Sequence, residues 1–196
     1  MTAEISPRPH LQSPTVTLRA PQETDKQDRL AYGRDPEFRR MVGGDPNTLP
    51  PLTAAEVEYW YSQAVQEPHH WIIEAKGRCI GTARLHALEA ENRRAKYAVG
   101  IFGSEFRGRG LGTEATRLVI AYAFDVLALH RVELRVLAFN GRAIACYEKC
   151  GFMREGIERE GAWIGGQWQS DVIMSILEHE YREKQKHEAH SLLPQR

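Results

Sequence analysis

The chain has no charge to spare. Its 26 Lys and Arg stand against 26 Asp and Glu in 196 residues. That balance argues against a broad basic surface, so no nucleic-acid partner is expected. No apolar run approaches the ~18 residues of a membrane span. Residues 1–13 hold no apolar stretch of the kind found in a secretion signal. Neither a membrane nor export is therefore expected. Cysteine is scarce, with only Cys79, Cys146 and Cys150. An odd, small set does not make a disulfide framework, and no further ligands sit at zinc spacing, so no metal is expected. The setting expected from this is reducing and cytoplasmic. Cys146 and Cys150 are four apart and read as two small buried side chains on one helix face. Internal repeats and low-complexity linkers are absent too.

What is present fits one globular domain, with 42% hydrophobic and 27% charged residues. Residues 1–14, with Pro7, Pro9 and Pro14, read as a flexible lead-in. Residues 15–181 read as the domain, and 182–196 as a helix end followed by a polar tail. A short strand is expected at 16–18 and a helix from about 23, broken near Gly33 and Pro36. Thr53-Ala54-Ala55-Glu56 is a capping-box pattern that opens a helix to about 66. Strands follow at 71–75, 79–87 and 95–102. A helix over 110–127 carries an apolar stripe of Leu111, Ala115, Leu118, Tyr122 and Val126. Residues 131–137 alternate as a strand, 140–150 form a helix closed by Gly151, and 152–160 with 167–177 form a last hairpin. This order predicts an α/β (α+β) fold with a mixed, partly antiparallel sheet.

The most informative stretch is Arg107-Gly108-Arg109-Gly110-Leu111-Gly112-Thr113, which follows a strand and opens a helix. Glycines let backbone N–H groups approach a ligand, and the helix start adds positive charge and open donors. Two arginines add full charge, so the pattern suits a pyrophosphate. No Lys-Ser/Thr follows, which excludes a P-loop. Gly110-x-Gly112-x-x-Ala115 matches a relaxed dinucleotide fingerprint, but the turn is too long and the strands before it are antiparallel.

The same stretch carries a resemblance. Arg107-x-x-Gly110-x-Gly112 resembles the (Gln/Arg)-x-x-Gly-x-(Gly/Ala) acetyl-CoA motif of the GNAT superfamily of N-acetyltransferases. The block from Asn140 through Ala143, Tyr147 and Gly151 to Phe152 resembles the Asn-x-x-Ala-x-x-x-Tyr-x-x-x-Gly-Phe helix of that superfamily. The layout is most similar to the RimJ/RimL-type ribosomal-protein and the spermidine acetyltransferases. The resemblance implies a twisted, mostly antiparallel sheet flanked by helices, with two central strands splayed around acetyl-CoA. The main chain of Gly100, Ile101 and Phe102 would pair with the pantetheine arm. Arg107, Gly108, Arg109, Gly110, Leu111, Gly112 and Thr113 would hold the pyrophosphate. Asn140 would bond the pantetheine, although its position equally suits a helix N-cap. Arg142 would reach the phosphates or simply face solvent. A homodimer or larger homo-oligomer is compatible with the subgroup, with edge strands of the last hairpin to serve it.

Acetyl transfer to an amine needs an unprotonated amine, a donor for the thioester oxygen and a proton for the leaving thiolate. By resemblance Tyr147 supplies that proton. From the residue alone it is a half-buried aromatic bonded to a backbone group. Backbone N–H near Gly100 and Ile101 is the expected oxyanion donor. The base stays open among His86, Glu74, Glu105 and water. Trp71, Trp163 and Trp168 either border the acceptor pocket or pack. Segment 15–66 mixes eight acids with six bases and leaves open a protein N-terminus, a polyamine or another small amine. A non-catalytic acyl-CoA sensor on the same fold is the competing reading.

Overall fold

The computed structural model describes residues 8–191; the first seven and last five residues lie outside the described part, as do those portions of the expected lead-in and tail. Eight strands make one sheet: β1 (Leu11–Gln12), β2 (Thr17–Arg19), β3 (His70–Ala75), β4 (Arg78–Glu89), β5 (Arg94–Ile101), β6 (Arg131–Leu137), β7 (Met153–Ile164) and β8 (Gln167–Leu177). Their order is β1-β2-β3-β4-β5-β6-β8-β7. Every neighbouring pair is antiparallel except β5 and β6. Six helices accompany the sheet: α1 (Asp25–Tyr32), α2 (Pro36–Met41), α3 (Ala54–Gln66), α4 (Leu111–Asp125), α5 (Gly141–Cys150) and α6 (Glu178–Ser191).

Strand alternation sorts the core onto two faces. On one, Trp71, Ile73 and Ile80 meet Ala115, Val119, Ile120 and Ala123 of α4 and Ile144 and Tyr147 of α5. On the other, Ile72, Cys79 and Phe102 form a smaller cluster with Tyr32, Phe38 and Trp60 of α1 to α3. The large cluster holds the sheet together. The small one packs the front of the chain against it.

Three local expectations change. Residues 8–14 are tied down: β1 pairs with β2, Trp71 Nε1 donates to the Pro9 carbonyl at 3.1 Å, and Ser13 Oγ donates to Glu114 at 2.5 Å. A backbone with strand and carbonyl partners is held even where prolines are dense. The buried face of α4 is also wider than the expected stripe, of which Ala115 and Tyr122 are buried and Leu111 and Leu118 pack against the core. Thr116, Val119, Ile120 and Phe124 are inside, whereas Val126 is 43% exposed past the helix end. Finally, β7 runs on to Ile164, because Gly165 and Gly166 both take positive φ (57° and 81°) and close the hairpin in two residues.

Candidate active site

β5 and β6 pair in parallel only over Arg94–Lys96 against Arg131–Glu133, and then they part. β5 keeps β4 as far as Ile101, and β6 keeps β8 as far as Leu137. Residues 97–101 are therefore left with one ladder edge that no strand covers. Such an edge accepts an extended ligand through main-chain hydrogen bonds. Two glycines shape it. A Cβ on Gly81 would lie 2.1 Å from the Gly100 carbonyl oxygen, and one on Gly100 would lie 3.2 Å from the Phe38 ring. Close approach of β4 below and of α2 above depends on both.

A 3-10 turn (Ser104–Phe106) leads from β5 into the glycine loop. Gly110 is the N-cap of α4 with φ 81°, and no side chain caps the helix. The first helical bond runs from Glu114 N–H to the Gly110 carbonyl at 3.0 Å. The N–H groups of Leu111, Gly112 and Thr113 thus point out of the helix start without intrahelical partners. They make a positive, donor-rich rim beside the open edge. Arg109 is exposed there and makes no ion pair among the described residues.

Tyr147 rises from α5 to the same edge. It is 7% exposed, with its ring edge-on to Tyr97 (centroids 6.4 Å apart, 85°) and tilted against Phe152 at 5.8 Å. Its hydroxyl has no hydrogen-bond partner among the described residues and is not one of the enclosed orphan atoms, so solvent or a ligand can reach it. Burial, with Cys146 and Cys150 adding to it, pushes the phenol well above the usual tyrosine range. The group stays protonated at neutral pH and is a hydrogen-bond donor waiting for an acceptor.

A family model described as an acetyltransferase (GNAT) domain matches residues 15–153. The chain belongs to the GNAT acetyltransferase family. It is 30% identical over 174 residues to the "Probable N-acetyltransferase YjcK" of Bacillus subtilis (strain 168), covering 85% of this chain and 96% of that one. It is 33% identical over 128 residues to the spermidine N(1)-acetyltransferase of Escherichia coli (strain K12), covering 65% and 68%. Its fold resembles the crystal structure of spermidine N-acetyltransferase from Vibrio cholerae in complex with CoA and spermine. The TM-score is 0.72 at 25% identity, over 87% of this chain and 99% of that one. The expected GNAT fold, with its mostly antiparallel sheet and splayed central strands, is the one observed.

Within this GNAT acetyltransferase the residues singled out from sequence divide in two. Gly100, Ile101, Gly108, Arg109, Gly110, Leu111, Gly112 and Tyr147 gather around the open edge and the α4 start. The side chains of Arg107, Thr113, Asn140 and Arg142 turn elsewhere. Arg107 is only 8% exposed in its side chain. It pairs with Asp35, with Glu37 at 3.1 Å, and donates to the Phe102 carbonyl at 2.9 Å. Thr113 Oγ1 donates to Cys146 Sγ at 3.2 Å, knitting α4 to α5. Asn140 accepts the Ala143 N–H at 3.2 Å as the α5 N-cap and donates to the Met41 carbonyl at 3.4 Å. Arg142 pairs with Glu37 at 3.0 Å. The Phe102 main chain is engaged as well, its N–H donating to the Ile80 carbonyl at 2.8 Å. Helix α2 thus collects three groups expected on the coenzyme.

The base candidates separate by place. Glu74 holds Arg19 Nε at 2.5 Å on the β2–β3 side. His86 lies opposite Lys96, where β5 and β6 are still joined. Burial, then the cations Arg84 and Lys96, push its imidazole below the ordinary value. Only Glu105 faces a cavity beside the site, one of about 280 Å³ lined also by Tyr32, Asp35, Arg78 and Phe102. A second cavity, of about 80 Å³, lies on the other side of Asp35 and Phe102, among Arg29, Arg34, Phe38 and Arg39. None of these front residues carries a spacing signal; Arg29, Arg34, Asp35 and Arg39 entered the sequence reading only through the charge balance of segment 15–66, and Phe38 and Tyr32 not at all. Trp71 is fully buried in the core, while Trp163 and Trp168 form an exposed T-shaped pair at 5.1 Å near the β7–β8 turn. Among the described residues no group of three or more His, Cys, Asp or Glu is placed to hold a metal, and no helix is long and apolar enough to cross a membrane.

Proposed function

We propose that this protein transfers an acetyl group from acetyl-CoA to a primary amine by direct attack on the thioester. The observation that carries the reading is the uncovered β5 edge. It ends at a glycine-capped helix start on one side and at the unpaired Tyr147 hydroxyl on the other. The edge suits a pantetheine arm, whose amides would pair with the main chain at Gly100 and Ile101. The N–H groups from Gly110 to Thr113, with Arg109, suit the pyrophosphate. Asn140 and Arg107 act here as positioning residues: their bonds hold α2 against the loop and α5.

In the reaction the amine nitrogen forms the new C–N bond and the carbonyl C–S bond breaks. Main-chain N–H at Gly100 or Ile101 receives the developing oxyanion. Tyr147 gives its proton to the leaving thiolate and recovers one from solvent. The burial that keeps the phenol protonated also disfavours a charged thiolate beside it, which draws the proton across. The amine's surplus proton leaves through water or Glu105. Relatives named as spermidine N-acetyltransferases support an amine acceptor.

The test is thiol release from acetyl-CoA in the presence of an amine panel, with mass detection of the acetylated product. Amine-dependent release is expected. Tight acetyl-CoA binding without release for any amine would replace the enzyme by an acyl-CoA sensor.

A further inference from the structure

The 80 Å³ cavity differs in sign from what a polyamine would need. Three guanidinium groups line it, Arg29, Arg34 and Arg39, against one carboxylate, Asp35. That carboxylate is already spent on Arg107 and on the Phe38 N–H at 3.1 Å. Arg34 reaches Glu56, but its Nε is enclosed with no hydrogen-bond partner. Arg29 makes no close ion pair among the described residues, and Glu56 reaches it only through space. Its guanidinium stacks on Phe102, 4.6 Å from the ring centroid, and donates once, to the Gly33 carbonyl at 3.0 Å. Burial and the neighbouring Arg34 both disfavour its charge and pull it below the ordinary arginine value. The Phe102 ring, the Gly33 carbonyl and the more distant Glu56 offset only part of the desolvation cost of this partly buried cation.

The cavity is also correctly sited for an acceptor. Phe38 and Phe102 line it, and the Phe38 ring rests on Gly100, on the β5 edge where the thioester is expected. The larger neighbouring cavity shares Asp35 and Phe102 with it and is flanked by Glu105 and by the enclosed, unpartnered Tyr32 hydroxyl. A basic chamber thus adjoins one that holds carboxylates. The basic chamber is far below the 300 Å³ or so of a drug-sized pocket. It has room for the end of a molecule only, and its guanidinium lining sets the sign of the charge that end should carry.

We infer that the acceptor is a small amine bearing a carboxylate, an amino acid or a close derivative, whose carboxylate is received by Arg29 and Arg34. This rests on the acetyltransferase reading above and narrows it, away from the polycations named in the spermidine relatives. Planar guanidinium groups suit a carboxylate through paired N–H donors, and Phe38 and Phe102 would cover the apolar part of the molecule.

The experiment uses matched pairs on the full chain: phenylalanine against phenethylamine, 4-aminobutyrate against propylamine, with spermidine as the polycation. Calorimetry in the presence of CoA measures binding, and thiol release from acetyl-CoA measures turnover. The carboxylate member of at least one pair is expected to bind at least about tenfold tighter than its decarboxylated partner. Arg29→Gln should raise the KM of the carboxylate substrate while leaving kcat and acetyl-CoA affinity unchanged. The wild-type comparison needs no variant and holds if Arg29→Gln fails to fold. Equal or weaker binding of every carboxylate member, or preference for spermidine, overturns the inference and leaves the acetyltransferase reading standing. Carboxylate-selective binding with no thiol release keeps the carboxylate site at Arg29 and Arg34 but overturns its role in seating an acceptor, together with the catalytic reading.

Discussion

The two walls of the cleft, read as proposed for coenzyme and acceptor, offer their ligands different groups. The coenzyme wall, from β5 through α4 to α5, offers main-chain groups: an uncovered strand edge and a helix start capped by Gly110. The acceptor wall, α1 to α3, offers side chains: Arg29, Arg34, Phe38 and Tyr32 around two cavities. Backbone recognition demands glycine at fixed positions, because only there can the chain turn to positive φ or come close. Side-chain recognition demands only that some long residue arrive from somewhere. The first leaves a spaced signature and suits a constant coenzyme. The second is free to vary with the acceptor.

If that division is right, Tyr147→Phe should give the largest effect and confine it to chemistry. Removing the phenol proton donor should lower kcat by about a hundredfold or more. Acetyl-CoA affinity should stay within about twofold, since the ring contacts with Tyr97 and Phe152 survive. Steady-state kinetics beside calorimetry separates the two numbers. Unchanged turnover would remove Tyr147 from the reaction.

The second test cuts the tie between the walls. Asp35 holds Arg107 and caps α2, and asparagine caps nearly as well, so Asp35→Asn removes mainly the charge pair. A loss of about 2 kcal/mol in folding stability is expected. Acetyl-CoA affinity should not weaken, because Arg107 keeps Glu37 and the Phe102 carbonyl and so stays in place beside the glycine loop. The effect depends on pH in a fixed direction. Burial alone would raise the Asp35 pKa, but Arg107 and the Phe38 N–H outweigh it and hold the carboxyl below its ordinary value. A depressed carboxylate stabilises the fold above its unfolded pKa and loses that contribution as pH falls through the folded one. The gap in unfolding free energy between the two proteins should therefore be full at neutral pH and shrink below about pH 4. A gap independent of pH would mean the pair contributes nothing.

What was legible in the sequence follows the same line. The succession of strands from β2 to β8 along the chain, the capping box at Thr53 and the α5 boundaries came from periodicity and capping chemistry, which are local. The splay of β5 from β6 came from the resemblance carried by the glycine and Asn140–Phe152 motifs. The destinations of Arg107, Arg142 and Asn140 were not legible. Their partners Asp35, Glu37 and Met41 lie on α2, about 70 to 105 residues away in the chain. A charge's nearest neighbour in space is set by packing, and no spacing records it. The hold on residues 8–14 escaped for the same reason, since the Pro9 carbonyl finds its donor on Trp71.

Gly110→Ala tests the main-chain wall by itself. The residue sits at φ 81°, and a Cβ there would meet nothing within 4 Å, so the cost is conformational and not steric. An L-residue held in that region costs about 1 kcal/mol. The loop will relax, and the N–H groups at the α4 start will lose alignment. Acetyl-CoA should bind about fivefold more weakly while the acceptor KM holds. An unaffected coenzyme affinity would mean the helix start is not the anion site.

The smallest effect is expected farthest from the coenzyme. Thr53 accepts the Glu56 N–H, and the Glu56 carboxylate answers at the Thr53 N–H at 3.0 Å, so α3 starts with both donors satisfied. Thr53→Ala should lower the melting temperature by about 2 °C, the usual cost of one cap in a domain of this size. Its interest lies in what moves with it. Glu56 also holds Arg34, and Trp60 of the same helix meets Phe102 edge-on at 5.8 Å. A frayed α3 start should therefore loosen the basic cavity and raise the acceptor KM slightly. Acetyl-CoA affinity should not change, because no α3 side chain reaches the β5 edge or the glycine loop through a hydrogen bond or ion pair among the described residues. A matching loss in coenzyme binding would mean that the two walls are one cooperative unit through Phe102, and that the division between them is only one of sequence signature.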